Sequence, residues 1–259
     1  MRNYRLKQLE ETILENETVS LEELRESFGV SMNTIRRDIA ELLRRGNIEK
    51  VYGGVCAKRK TSLLPYDQRH IIHLELKQRI GRKAAELIAD GDVIYLDSGT
   101  TTLELIRAIQ GKKRITVITG NLNAIDEALP FSNINVIATG GQLDRKTNSF
   151  VGLQVVQELR SYNIKKAFLA ATGISLENGV TNSSLLEYEI KKAVVDRCDH
   201  NYLMVDSSKF GVSALTTYAQ IRDFEAIVTD SMPSKEFLDC CNQAEISLLL
   251  AEENLRTDS

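Results

Sequence analysis

From residue 93 onward, short runs of β-branched and apolar residues alternate with stretches of helical periodicity, and this alternation restricts the fold more than any other feature of the chain. The runs are Val93 to Leu96, Ile115 to Thr119, Ile134 to Thr139, Ala167 to Ala171, Tyr202 to Val205, Ala226 to Thr229 and Ile246 to Leu250. A helix between two strands carries the chain back to the end where the first strand began, so successive strands pair in parallel. The expected fold class is α/β, with a Rossmann-like, mainly parallel sheet whose ligands sit in the crevice beyond the carboxyl ends of its strands. A helix from about Glu75 to Ala89 precedes the first run.

The first sixty residues follow a different pattern. Tyr4, Leu6, Leu9, Ile13 and Leu14 recur at helical spacing, and the polar run Glu15 to Thr18 ends that helix. Ser20-Leu21-Glu22-Glu23 is a capping box, and its short helix stops at Phe28-Gly29, where glycine permits a left-handed turn. Ser31 is a natural N-cap for a third helix that runs to about Arg45, before Gly46. Helix, glycine turn, helix is the helix-turn-helix outline. Asn47 to Tyr52, Gly53-Gly54 and Val55 to Ala57 then read as a β-hairpin, so a winged helix-turn-helix is expected over 1–57. A polar linker over 58–74, with Pro65, would lead to the larger domain over 75–259.

Net charge is −3, which argues against nucleic acid until its distribution is considered. Residues 1–30 hold four basic and seven acidic side chains, whereas residues 31–60 hold eight basic and three acidic ones. A basic stretch alone is ordinarily a solvated face. Here it coincides with the third helix, where Ile35, Ile39, Leu42 and Leu43 cluster on one face at about 100° per residue. Asn33, Arg37, Ala40 and Arg44 lie opposite, with Arg36 at the flank. A helix lying in a major groove needs this division, and arginine can bridge guanine O6 and N7. The candidate DNA-contacting residues are Ser31, Asn33, Thr34, Arg36, Arg37 and Arg44 on the helix and Lys50 on the hairpin, with Lys58-Arg59-Lys60 as phosphate contacts.

In the larger domain the polar signals fall at strand ends. Asp97-Ser98-Gly99-Thr100-Thr101-Thr102 follows the first strand and opens a helix, so backbone N–H groups and hydroxyls converge where the helix dipole favours an anion. Ordinary capping produces similar loops, but Gly120-Asn121, Gly140-Gly141, Thr172-Gly173 and Asp206-Ser207-Ser208-Lys209 close the following strands. Asp97, Ser98, Gly99, Thr100, Thr101, Thr102, Gly140, Gly141, Asp206 and Lys209 are therefore the candidate effector-binding residues, with Lys209 as the phosphate's cation and Asp206 holding Lys209 or accepting from a sugar hydroxyl.

With 42% hydrophobic and 27% charged residues the composition is globular, and apolar runs such as Leu248 to Ala251 fall far short of the ~20 residues that span a bilayer. The charged N-terminus lacks a signal peptide's apolar stretch, so a soluble cytoplasmic protein is expected. Cys56, Cys198, Cys240 and Cys241 have neither metal-site nor disulfide-framework spacing, and His70, His73 and His200 form no metal-like set. No cofactor or metal is expected.

The string Phe28-Gly29-Val30-Ser31-Met32-Asn33-Thr34-Ile35-Arg36-Arg37-Asp38-Ile39, with Gly46 and Tyr52-Gly53-Gly54 after it, closely resembles the N-terminal signature of DeoR-family bacterial transcriptional regulators. Tyr52 stands where that family often has histidine. The larger domain resembles the family's C-terminal sensor through the Asp97 to Thr101 loop, Gly140-Gly141, Gly179-Val180-Thr181, Glu189-Ile190-Lys191-Lys192 and Asp206 to Lys209. The resemblance implies a sensor similar in fold to ribose-5-phosphate isomerase, a phosphorylated sugar or related metabolite as effector, and repression of a carbohydrate-utilisation operon relieved by that effector, with a transcriptional activator of the same architecture as the alternative. A single winged head offers a small footprint, so a homo-oligomer, dimer or tetramer, on a double-stranded operator is expected.

An isomerase-like enzyme is the competing reading, and it needs a carboxylate base near the substrate. The isomerase family's aspartate-glycine-alanine-aspartate segment is absent, and Ala170 to Ser175 contains no acid. Asp97, Glu187, Glu189 and Asp206 are poor substitutes, so no enzyme is expected. An adaptor that binds protein through the winged helix would leave Asn33, Arg37 and Arg44 with no reason to share a face.

Overall fold

The computed structural model describes residues 2–15, 18–45, 48–51, 53–57 and 64–251. The chain divides into two compact units, Met1–Thr61 and Ser62–Ser259. In the first, α1 (Arg2–Glu15), α2 (Leu21–Phe28) and α3 (Met32–Arg45) precede the antiparallel hairpin of β1 (Ile48–Val51) and β2 (Gly54–Ala57). The capping box forms: the Ser20 N–H donates to Glu23 Oε2 at 2.8 Å, and the Glu23 N–H donates to Ser20 Oγ at 3.1 Å. Gly29 ends α2 at φ +60°. Leu6, Leu9, Ile13, Leu24, Ile35, Ile39 and Leu42 are buried together with Ile48 and Val55 of the hairpin. Each such side chain contributes about 1.5–3 kcal/mol relative to exposure. The side chains of Tyr4 and Leu14 of the expected apolar face, and residues Gly46, Asn47, Tyr52 and Lys58-Arg59-Lys60, lie outside what is described.

The wing carries one pairing that its pattern does not suggest, an isolated bridge outside its two strands. Val19 and Val55 exchange both backbone hydrogen bonds at 2.9 Å, tying the α1–α2 connection to β2. Gly54 permits this approach, since a Cβ there would stand 2.2 Å from the Val19 carbonyl oxygen.

The second unit begins with α4 (Tyr66–Ile71) and α5 (Leu74–Ala85), followed by β3 (Val93–Leu96), α6 (Thr100–Ala108), β4 (Ile115–Thr119), α7 (Leu122–Ala128) and β5 (Ile134–Ala138). A hairpin of β6 (Gln142–Asp144) and β7 (Ser149–Val151) leads to α8 (Leu153–Leu159) and β8 (Lys166–Leu169). Then come β9 (Gly173–Ser175), β10 (Gly179–Asn182), α9 (Leu185–Val195), β11 (His200–Met204), β12 (Thr216–Ala219), β13 (Ala226–Thr229), α10 (Lys235–Gln243) and β14 (Ser247–Leu250).

All seven expected strands join one sheet in the order β14-β13-β11-β8-β3-β4-β5, and every pairing is parallel. Side chains alternate between two cores: Ile94 and Leu96 of β3 pack with α5, α6 and α7, and Tyr95 packs on the opposite side with α8 and α9. The strand order reverses between β3 and β8, and at such a switch point diverging crossovers open a crevice.

Two departures follow from tertiary packing. The three-stranded antiparallel sheet β12-β10-β9 and the β6-β7 hairpin have strands of three or four residues, too short for alternation to announce them. The expected linker over 58–74 also contains α4, and α5 starts inside it at Leu74. Tyr66 is only 2% exposed and belongs to the core under α5 and α6, so one aromatic anchors an otherwise polar segment to the second unit.

Candidate DNA-reading surface and anion site

On α3, helical periodicity sorts side chains as expected, because Ile35, Ile39 and Leu42 are buried while Asn33, Arg36, Arg37, Ala40 and Arg44 are exposed. Leu43, expected on the core face, is only half-buried. Ser31 caps the helix, accepting from the Thr34 N–H at 3.3 Å, and the two hydroxyls lie 2.9 Å apart. Arg44 pairs with Glu41 one turn back, and Lys50 is exposed on β1. Periodicity did not indicate Arg5: its Nε donates to Asp38 Oδ2 at 2.8 Å, and Asp38 is 1% exposed.

In the second unit the candidate site lies at the switch point. Asp97 follows β3, and its Oδ2 accepts from the Ala170 N–H at 3.0 Å, beyond β8. The same oxygen pairs with the Lys191 ammonium from α9, with both side chains 3% exposed, and Lys191 also donates to the Ala170 carbonyl at 2.9 Å. Lys191 Nζ stands 5.2 Å over the Tyr218 ring. Gly99 makes this convergence possible, since a Cβ there would lie 2.4 Å from Ala170 Cβ.

α6 starts at Thr100, just beyond the carboxyl end of β3, with no side-chain cap for its first N–H groups. The neighbouring helix α7 differs: Asn121 Oδ1 accepts from the N–H groups of Asn123 and Ala124 at 3.1 and 3.3 Å. Ser98, Thr100 and Thr101 are nearly buried beside the open end of α6. Thr102 instead turns inward, donating to the carbonyls of Asp97 and Gly99 at 2.8 and 2.9 Å, so its hydroxyl is structural. Asp97, Ser98, Gly120, Thr139 and Glu187 line one narrow crevice, and the buried Thr139 hydroxyl there has no hydrogen-bond partner.

Gly140 and Gly141 do not line that crevice. The Gly140 N–H donates to Glu158 Oε2 at 3.1 Å, and Gly141, at φ +113°, lets the chain pass close to Val151, whose carbonyl would lie 2.6 Å from a Cβ. Both shape the entry to the hairpin.

Asp206 stands two strands from Asp97 and is 1% exposed. Its Oδ1 accepts from the Ser208 N–H at 3.1 Å and from the Ser208 hydroxyl, while Oδ2 has no hydrogen-bond partner. Lys209 is half-buried and forms no ion pair with Asp206, which corrects the expectation that Asp206 holds it.

Four side chains that the sequence reading did not assign to the site complete it. Glu187, one turn before Lys191, accepts from Ser149 Oγ and Asn182 Nδ2, both at 3.2 Å; burial raises its pKa, against the pull of Lys191. Arg69 of α4 lies 5.4 Å over the Tyr66 ring and donates through Nε to the Leu64 carbonyl at 3.1 Å. It feels the charges of Glu187 and Asp97 without pairing with either, and burial lowers its pKa. Lys77 of α5 donates to the Arg69 carbonyl, and burial brings its pKa down to about 8 against the opposing charge of Asp206. Lys191 is the fourth. In the sequence Lys191 stood within the Glu189 to Lys192 motif and Glu187 was weighed only as a catalytic acid; Arg69 and Lys77 sat in or next to a segment that reads as linker.

The cluster sets the largely desolvated cations Arg69, Lys77 and Lys191 among the carboxylates of Asp97, Glu187 and Asp206, with the open N-terminus of α6 next to Asp97, and this mixed set suits a small ligand bearing an anionic group and hydroxyls. Among the described residues no three His, Cys, Asp or Glu side chains are grouped to hold a metal, and no helix is long and apolar enough to cross a membrane.

Comparison with known proteins agrees with this division. Residues 5–61 match the DeoR-like helix-turn-helix domain, and residues 72–231 match the DeoR C terminal sensor domain. The chain is 45% identical over 251 residues to the HTH-type transcriptional regulator IolR of Bacillus subtilis, covering 97% of this chain and 100% of that one. It is 29% identical over 232 residues to the glycerol-3-phosphate regulon repressor of Escherichia coli, covering 90% and 92%. Among solved structures, ribose 5 phosphate isomerase A from Neisseria gonorrhoeae is similar over 54% of each chain, at 17% identity and a TM-score of 0.40.

Proposed function

Because this chain belongs to the DeoR family of transcriptional regulators, we propose that it is an operator-binding repressor released by a phosphorylated sugar or related metabolite. α3 reads base edges through Asn33, Arg36 and Arg37, while Arg44 and Lys50 contact the backbone. The observation that carries the effector reading is a set of desolvated cations, Arg69, Lys77 and Lys191, close to Asp97 and Asp206, together with the uncapped N-terminus of α6 at the switch point of a parallel sheet. The phosphate takes the N–H groups of α6 with Lys209 and Arg69 as counter-charges, and Asp206 Oδ2 and the Thr139 hydroxyl accept from or donate to sugar hydroxyls.

Ligand control requires the effector to bind the DNA-competent and DNA-incompetent arrangements with different affinity, since equal affinity shifts nothing. α4 provides the means: Arg69 belongs to the first described element after the segment that joins the units, so an effector that draws Arg69 in acts on that segment. The protein works in the cytoplasm as a two-fold oligomer on paired half-sites. Catalysis is not part of this reading, because Asp97 is already held by Lys191 and the Ala170 N–H, and the relatives are regulators.

The test is a fluorescence-anisotropy titration against the gene's own upstream duplex at two salt concentrations, with and without a panel of sugar phosphates. Specific binding weakened by one member of the panel supports the proposal. Binding that every member leaves unchanged removes the effector reading, and no binding at either salt removes the operator reading.

A further inference from the structure

We propose that Arg5, which lies outside the recognition helix, contacts a phosphate of the bound duplex, and that Asp38 is the positioning residue that aims it. The inference rests on the operator-binding reading above. Arg5 closes the first turn of α1, and its Nε–H is held by Asp38 Oδ2 at 2.8 Å. A guanidinium has five N–H donors in a planar fork, and the structure engages this one through Nε, leaving the Nη donors for another partner. The two partners differ in exposure: Asp38 is 1% exposed and the Arg5 side chain 26%, so the carboxylate is the buried anchor and the guanidinium reaches the surface.

That surface is a groove lined by Arg5, Asn33, Thr34, Arg37 and Asp38, between α1 and the N-terminal half of α3. Two guanidinium groups face one carboxylate there, and the positive end of the α3 dipole adds to the excess. The groove shares Asn33 and Arg37 with the face that reads bases, so its occupant must be anionic and lie beside the major groove. A backbone phosphate meets both conditions. Asp38 has a second consequence: an acid on a DNA-facing helix repels phosphates unless a cation neutralises it. Arg5 neutralises Asp38 and leaves its fork pointing outward.

The experiment uses the full chain, its upstream duplex and an unrelated duplex, with anisotropy measured across a salt series. Arg5→Gln keeps an amide donor for Asp38 but loses the charge. It is expected to weaken both duplexes by one common factor and to lower the slope of log K against log salt by about 0.9, the release associated with one phosphate. Arg5→Lys is expected to retain the slope. A scan with single methylphosphonate substitutions should find one phosphate whose neutralisation weakens the wild type but not Arg5→Gln. Should Arg5→Gln not fold, the slope and the scan are read in Arg5→Gln combined with Asp38→Asn, which leaves no buried carboxylate without its cation and carries the same expected losses. An unchanged slope, or a phosphate profile identical to the wild type, in whichever of these charge-removing variants folds overturns the proposal and leaves Arg5 as a strut between α1 and α3. A wild type that binds neither duplex overturns the operator reading itself, a different result from a variant that matches a binding wild type.

Discussion

On α3 the arginines stand exposed across the helix from Ile35, Ile39 and Leu42, whereas in the larger unit Asp97 and Lys191, 94 residues apart in the chain, meet with each 3% exposed. The first arrangement is local: one helix sorts its own side chains by period, and the apolar half packs while the polar half remains available. The second is assembled from strand ends and helices far apart in sequence, and its charges are as much part of the core as of the site. A substitution on α3 should therefore change binding alone, while one in the switch-point cluster should change folding and binding together.

Lys191→Met tests that contrast most severely. It leaves the Asp97 carboxylate buried without its cation, a change that costs about 3–5 kcal/mol. Urea unfolding of the larger unit should shift accordingly, and adding Asp97→Asn should restore much of the loss. A neutral Lys191→Met would break the comparison.

Arg37→Ala is the counterpart on the exposed surface. Loss of a bidentate base contact should weaken operator binding by about 1–3 kcal/mol and flatten discrimination against unrelated DNA. The thermal midpoint should not move, because Arg37 is exposed. A lowered midpoint would show that α3 is not as separable as its periodicity implies.

Lys209→Ala, half-buried at the rim, should fall between these two. Operator affinity and stability are expected to persist, while effector affinity by calorimetry drops about tenfold, in the range of one charge-assisted hydrogen bond. A normal effector response would remove Lys209 from the site.

Lys77 makes the comparison pH-dependent on one side only. Its pKa is brought down from 10.5 to about 8 by burial, with Asp206 and Glu104 opposing that fall and Lys209 and Arg69 adding to it. An anionic effector prefers the protonated amine, so its affinity should weaken as pH rises through about 8, and Lys77→Met should abolish that dependence. Stability runs the other way. Between about 8 and 10.5 the unfolded chain holds a proton that the folded chain has lost, so this group's contribution rises with pH.

The smallest effect belongs to Ser20→Ala, which removes one half of the capping box. About 1 kcal/mol should be lost from the N-terminal unit, with no change in effector binding. A shift in the larger unit's transition would show that the two units do not unfold independently.

How much could be read in advance follows the same contrast. The capping box, the left-handed Gly29 and the exposed face of α3 were legible because each is decided within a few residues. The seven strands of the large sheet were legible too, since parallel strands covered on both faces need short, continuously apolar runs. The site was only partly legible. The Asp97 to Thr101 loop marked its place, but nothing near Arg69 or Lys77 distinguished them from surface cations, and the segment around Arg69 resembled a linker. Gly140 and Gly141 illustrate the converse, because a glycine pair after a strand can serve close backbone packing, as Gly141 does beside Val151, as readily as a ligand. Arg5 was hidden because its partner Asp38 lies 33 residues away.

By itself, then, the sequence determined what depends on period and local backbone chemistry: a helix-turn-helix with a sorted recognition face, and a parallel sheet with polar loops at its carboxyl ends. Only the tertiary structure decided which charges are buried, which are paired and which remain available. Burial of a charge depends on what packs against it, and at the switch point that is the end of β8, the N-terminus of α6 and two turns of α9. No residue's own neighbours in the chain carry that information.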